Sequence, residues 1–286
     1  MAVIYEPLYE QGQSLSEPAF KPLRLADNPV AWREFRILVD FYRRGDHKNA
    51  DKTGIFSPKF GLKTQVPAQR FIEFADANRD ADVCLINPFP QLRYYSYNVW
   101  MQGEANHPGL CERTQNLLSD VGLDWDLAST PRHDERVLCY SNFWVGSEAF
   151  WEGYVGDVLN RIANHIERHA ESAAVRAVMG DTYHTDAAPF LPFIVERLFS
   201  TFLSLNPAIK VAAYPLPDLE PYLLTDYERE MVRGIAPIVD AADRAESFPV
   251  DLIQIQQTFC RLAVMYGHEY FKSNMHPHSG KSISRE

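Results

Sequence analysis

Short apolar runs alternate along this chain with amphipathic stretches of helical period, the pattern of an α/β layered fold. Strand-like runs are expected at 3–5, 54–57, 82–86, 136–140 and 211–214. Between them apolar residues return at three- and four-residue intervals, which predicts helices. The stretch 29–42 carries Trp32, Phe35, Ile37 and Leu38, and 67–77 opens on proline with Phe71, Ile72 and Phe74 turned inward. The stretch 108–121 has the same character. A long helix is expected from Ser147, whose hydroxyl suits a cap, through Val155, Leu159, Ile162 and Ile166. The segment 189–205 is nearly all apolar, with a stripe of Glu196, Ser200 and Ser204 at four-residue steps expected as its solvated face. Helices over 226–242 and 250–270 precede a polar tail.

With 286 residues and 46% hydrophobic content, the chain can bury one large core or two modest ones. Neither a Gly/Ser linker nor a repeat divides it, so one elaborated body is expected, with the Pro-rich stretch 214–221 as a joint to a helical C-terminal part. The formal charge of −10 argues against gripping nucleic-acid backbone, which takes a Lys/Arg surplus. An anionic ligand must then be met by a metal or by a few placed basic groups. The absence of a long apolar run and of a basic, apolar leader predicts a cytoplasmic protein with at most peripheral membrane contact. Cys84, Cys111, Cys139 and Cys260 are widely spaced in apolar surroundings and are expected as reduced, buried thiols.

The sharpest chemical signal is Asp80-Ala81-Asp82 ahead of the apolar run ending at Asn87-Pro88. Carboxylates two apart in an extended segment point to one side and can share Mg2+ or Mn2+, leaving positions for a diphosphate. The ordinary alternative is a solvated turn before a buried strand. Downstream, 98–109 gathers Trp100, Gln102, Glu104 and His107 into a Gly/Pro-punctuated stretch expected as a loop, with groups that suit sugars. The alternative is a structural loop whose Trp100 caps the core. Asn142 lies between aromatic residues near a strand end, able to orient a hydroxyl or to satisfy a turn. Glu196-Arg197 stands in an apolar helix, where charges are costly unless paired or useful, so Glu196 is a candidate base or nucleophile. Ser57, Lys59 and Lys63 follow the second strand and offer ammonium groups to a phosphate. In the tail, His278 can add a nitrogen ligand to a metal and Lys281 can approach phosphate oxygens, or the tail is inert. A polar loop at His184 and Asp186 is read as generic.

In order, these pieces resemble a bacterial glycosyltransferase of the GT-A fold, the kind that builds capsule, O-antigen and other surface polysaccharides. The resemblance rests on Asp80-Ala81-Asp82-Val83 with the strand after it, on Tyr140-Ser141-Asn142-Phe143-Trp144-Val145 with its helix, and on Glu196-Arg197-Leu198 within 50–215. It implies a GT-A-like, Rossmann-like three-layer fold with a mixed central sheet, a catalytic domain over 1–217 and a helical extension over 218–286. It also implies sugar transfer from a nucleotide-sugar donor to a glycan or lipid-linked glycan. On that reading Asp80, Asp82 and His278 hold Mn2+ or Mg2+; Ser57, Lys59, Asn142 and Lys281 meet the donor; Glu196 and Asp82 carry the chemistry; and Trp100, Gln102, Glu104, His107 and Arg197 shape the sugar pocket. Another alignment leaves Asp80 incidental and places Asn87 in support of Asp82. A non-catalytic glycan-binding module and a metal-dependent hydrolase are the competing readings; the hydrolase is weakened because the body of the chain has no His-x-His or His-Glu-x-x-His set.

Overall fold

The computed structural model describes every residue except 26, 28, 30, 183–187, 279–281 and 283–286. Its strands are β1 Ala2–Leu8, β2 Lys21–Arg24, β3 Lys52–Ile55, β4 Val83–Leu85, β5 Trp144–Gly146, β6 Asp181–Thr182, β7 Ala188–Pro189 and β8 Val211–Ala213. Six of them form a mixed sheet in the order β2-β1-β3-β5-β4-β8, while β6 and β7 make a separate ladder. Within the large sheet only β5 runs antiparallel to its neighbours. The carboxyl ends of β1, β3, β4 and β8 therefore share one edge with the start of β5.

The two-residue period of the strands sorts their side chains into two layers. Val83, Leu85 and Trp144 enter one apolar cluster, and Cys84, Ile86, Phe143 and Val145 enter another. Both faces of the sheet are covered, as a largely parallel sheet requires. The second layer is aromatic: Phe56, Phe60, Phe71 and Phe143 meet with ring centroids 5.1 to 6.1 Å apart.

The α-helices are α1 Glu34–Arg43, α2 Phe60–Thr64, α3 Ala68–Ala77, α4 Leu92–Tyr95, α5 Val99–Asn106, α6 Leu110–Val121, α7 Glu148–Phe150, α8 Asn160–Arg168, α9 Ala173–Met179, α10 Phe190–Leu205, α11 Asp226–Arg244 and α12 Val250–Ser273. The long helix expected from Ser147 forms as α7 and α8 joined by a π-helical segment, Trp151–Leu159. Ser147 Oγ caps it, accepting the Phe150 N–H at 3.3 Å. Gly156 lets α1 approach, since a Cβ there would sit 2.5 Å from the Tyr42 hydroxyl.

Three local expectations are corrected. The stretch 98–109 is largely helical, because Asn98 accepts the N–H groups of Trp100 and Met101 and starts α5. The run 136–140 buries Leu138, Cys139 and Tyr140 but pairs with no strand. Ser200 on α10 takes the ladder's place, accepting the Cys139 N–H at 3.0 Å. That also overturns the solvated stripe: Ser200 is fully buried, and Ser204 Oγ lies 3.1 Å from His133 Nε2.

The C-terminal helices α11 and α12 build a third apolar cluster with Tyr94 and Tyr95 of α4. Gln256 ties α12 to the body by donating to the carbonyls of Arg93 and Tyr94 at 3.1 and 3.0 Å. All four cysteines are free thiols, three of them buried. Among the described residues no helix is long and apolar enough to cross a membrane.

Candidate active site

A cavity of about 760 Å3 opens at the edge where the parallel strands end. Tyr9 after β1, Ser57 after β3, Phe89 after β4 and Asn142 ahead of β5 all line it. In open α/β sheets such an edge is where ligands bind, at the point where strand order reverses. One wall is α10, with Pro192, Phe193, Glu196 and Arg197; the opposite wall is α12, with Ala263, Val264, Gly267 and Phe271.

The floor is strained. Ser141 has φ 62° and Asn142 φ 53°, two successive left-handed residues without glycine. Such conformations persist where the surroundings enforce them and collect at functional sites. Part of the enforcement is Glu196, whose Oε1 accepts the Ser141 N–H at 2.7 Å. Asn142 is only 8% exposed, and its Oδ1 has no hydrogen-bond partner. Tyr140, also on the lining, has a buried hydroxyl without a partner, and burial pushes its pKa up. Buried polar atoms are ordinarily satisfied, and these two are exceptions on residues of the cavity lining.

Charge is placed sparingly. Arg33, Lys59 and Lys63 line the cavity together with Glu34, Glu196 and Glu228. Lys63 Nζ lies 2.8 Å from Ser141 Oγ, and burial holds its pKa below the ordinary lysine value, partly opposed by Glu196 and Glu34. Burial raises Glu228, while the hydroxyl of Tyr95 at 3.0 Å and the Leu224 N–H at 2.9 Å oppose the shift. The tail folds in as well. Lys59 donates to the His278 carbonyl at 3.0 Å, and the His278 ring packs on Phe89 with centroids 5.5 Å apart. Burial, reinforced by His276, Lys63 and Lys59, lowers His278 to about 4.

Of the residues expected from the sequence, Ser57, Lys59, Gln102, His107, Asn142, Glu196, Arg197 and His278 come together on this cavity. His107 stacks on Phe193 at 4.0 Å. Arg197 is 2% exposed and acts as an internal clamp, donating to the carbonyls of Val99 at 3.1 Å and Phe193 at 2.7 Å and to the side chain of Gln102. Arg33 and the Tyr140-Ser141 pair were missed. The aromatic context of Asn142 is the only signal for Tyr140 and Ser141, and nothing in the sequence marks Arg33.

Asp80 and Asp82 are the main correction. They precede β4 and so lie at the amino-terminal edge of the sheet, away from the cavity. The Asp82 carboxylate accepts the Lys210 N–H at 2.8 Å and joins the start of β8 to β4. Asn87, offered in support, instead closes its own turn, bonding the Phe89 N–H and carbonyl at 3.1 Å each. Among the described residues no group of three or more His, Cys, Asp or Glu is arranged to hold a metal. Trp100 is a core residue donating to Thr201 Oγ1 at 2.9 Å. Glu104 is spent on the N–H groups of Gly109 at 2.6 Å and Cys111 at 2.9 Å, the orphan donors at the start of α6. Lys281, His184 and Asp186 lie outside the described residues.

No family model, no curated protein and no solved structure matches this chain.

Proposed function

We propose that this chain is a glycosyltransferase that binds a nucleotide-sugar donor in the cavity at the carboxyl edge of its sheet and transfers the sugar to a glycan or lipid-linked glycan acceptor. The observation that carries the reading is Asn142: a left-handed, buried asparagine with an unsatisfied Oδ1, on a cavity that also presents Arg33, Lys59 and Glu196. The mixed central sheet is the type the GT-A reading requires.

In this scheme Arg33 and Lys59 meet the diphosphate and stabilise the charge that grows on the leaving group. Glu196, fixed by the Ser141 N–H, takes the proton of the acceptor hydroxyl. Asn142 and Tyr140 orient sugar hydroxyls, while Phe89, Leu92 and the small residues of α12 offer an apolar wall to the C–H face of a sugar. No step is routed through a metal, since the residues that would hold it do not converge on this cavity.

The test is a thermal-shift screen of nucleoside diphosphates and nucleotide sugars with Mn2+, with Mg2+ and with chelator, followed by detection of released nucleoside diphosphate in the presence of glycan acceptors. A native-state ligand raises the melting temperature according to its concentration and Kd. Stabilisation by nucleotide sugars, with turnover at least about 100-fold lower in Glu196→Gln, is expected. Stabilisation by glycans alone, without turnover, replaces the proposal with a binding module.

A further inference from the structure

Lys63 and Ser141 make a pair that sugar transfer does not use. Lys63 lies on α2, and its Nζ is 2.8 Å from Ser141 Oγ across the cavity floor. The amine is walled by aromatic rings, 5.8 Å from the centroid of Phe89 and 6.0 Å from that of Phe143. The charged and titratable groups around it are Glu196, Glu34, Lys59 and His278. Desolvation favours the neutral amine, and the two carboxylates only partly oppose it. Once deprotonated, an amine at this distance from a hydroxyl can take its proton and convert the serine into a nucleophile.

Ser141 itself is built for that task. It is half-buried on the cavity lining, and its left-handed backbone is pinned through its N–H to Glu196 at 2.7 Å. The next residue, Asn142, brings to the same lining a side-chain amide whose Oδ1 is unpartnered. A flip of that amide exchanges its acceptor for a donor, the group an oxyanion needs. The cavity thus holds a base, a hydroxyl and a polar amide together, which is the constellation of acyl transfer.

We propose that Ser141 is a nucleophile activated by Lys63, and that this cavity cleaves acyl esters through a covalent acyl-serine. Ser141 Oγ bonds to the ester carbonyl carbon as its proton passes to Lys63 Nζ. The tetrahedral oxyanion is met by the Asn142 amide. The C–O bond to the alcohol then breaks, and the alcohol leaves with the proton returned by Lys63. Water attacks the acyl-serine, giving one proton to Lys63, and the carboxylic acid departs as that proton returns to Ser141. Water is the sole co-reactant. The proposal shares the cavity and Asn142 with sugar transfer, but neither the nucleotide-sugar donor nor Glu196 as a base takes part in it.

The test uses the full chain and a fluorophosphonate probe, in which attack forms a P–O bond to serine and expels fluoride. Expected is one adduct per chain by intact mass, mapped to Ser141 and absent from Ser141→Ala. Lys63→Arg keeps a donor to Ser141 Oγ but cannot act as a base near neutrality, so its labelling is at least about 100-fold slower. On the wild-type protein the labelling rate rises with pH as Lys63 loses its proton, a reading that needs no variant to fold. No adduct at Ser141 of the folded wild-type chain, or equal labelling of Lys63→Arg, overturns the proposal. Loss of sugar transfer with labelling intact separates the failure of one reading from the other.

Discussion

Asp82 Oδ2 accepts the Lys210 N–H at 2.8 Å, and the Asp82 N–H donates to the Lys210 carbonyl at 2.8 Å. The same two residues thus form a reciprocal clasp that sets the register where β4 and β8 begin. The carboxylate is a structural acceptor at the sheet edge opposite the cavity. Asp82→Ala is therefore expected to lower stability by about 1 kcal/mol, the scale of one hydrogen bond, with sugar transfer unchanged. Chemical denaturation alongside the transfer assay checks it, and a loss of turnover at unchanged stability would return the residue to the chemistry.

Glu196→Gln keeps an oxygen for the Ser141 N–H and removes the base together with its charge beside Arg197 and Lys63. Its turnover is expected to fall by about 100-fold or more while circular dichroism and melting stay near wild type. An unaltered rate constant would remove Glu196 from the proposed mechanism.

His133 is fully buried, with Nδ1 3.4 Å from the Val99 N–H and Nε2 3.1 Å from Ser204 Oγ. Burial, with Arg132 adding to it, lowers its pKa from 6.5 to about 3. The unfolded chain therefore binds this proton first as pH falls. The histidine leaves stability untouched above about 6.5 and lowers it steadily from there toward 3. The slope from this group alone is about 1.4 kcal/mol per pH unit. Urea melts of the wild type and His133→Gln across that range should differ in slope; parallel curves would mean that His133 is charged inside the fold.

Gly54 sits in β3 against β5, where an added Cβ would lie 2.3 Å from the Trp144 carbonyl oxygen and 2.8 Å from Val145. Backbone cannot turn aside as a side chain can. Gly54→Ala is expected to cost about 1–3 kcal/mol, the range of an overpacked core, and to loosen the β3–β5 pairing. Hydrogen exchange across Thr53 and Gly146 would report it, and native protection there would contradict the close approach.

Much of the fold was legible locally. The four- and three-residue returns of Val155, Leu159, Ile162 and Ile166 mark a helix because any partner would have to cover that stripe, and Ser147 caps it as expected. What misled were polar groups whose partners lie far along the chain. Ser200 and Ser204 look solvated on a helical wheel, yet they bond to Cys139 and His133. Glu104 looks like a sugar ligand until Gly109 and Cys111 claim both its oxygens.

The sequence by itself determined the layers, since strand and helix periods depend on near neighbours and the apolar residues must be covered on both faces of the sheet. Only the tertiary structure decided where the candidate site lies. The Asp80–Asp82 spacing carries no information on which end of β4 meets solvent, and the cavity joins Lys63, Ser141, Glu196 and His278 from segments far apart. Whether such groups converge depends on strand order and direction, which fix the edge at which they emerge.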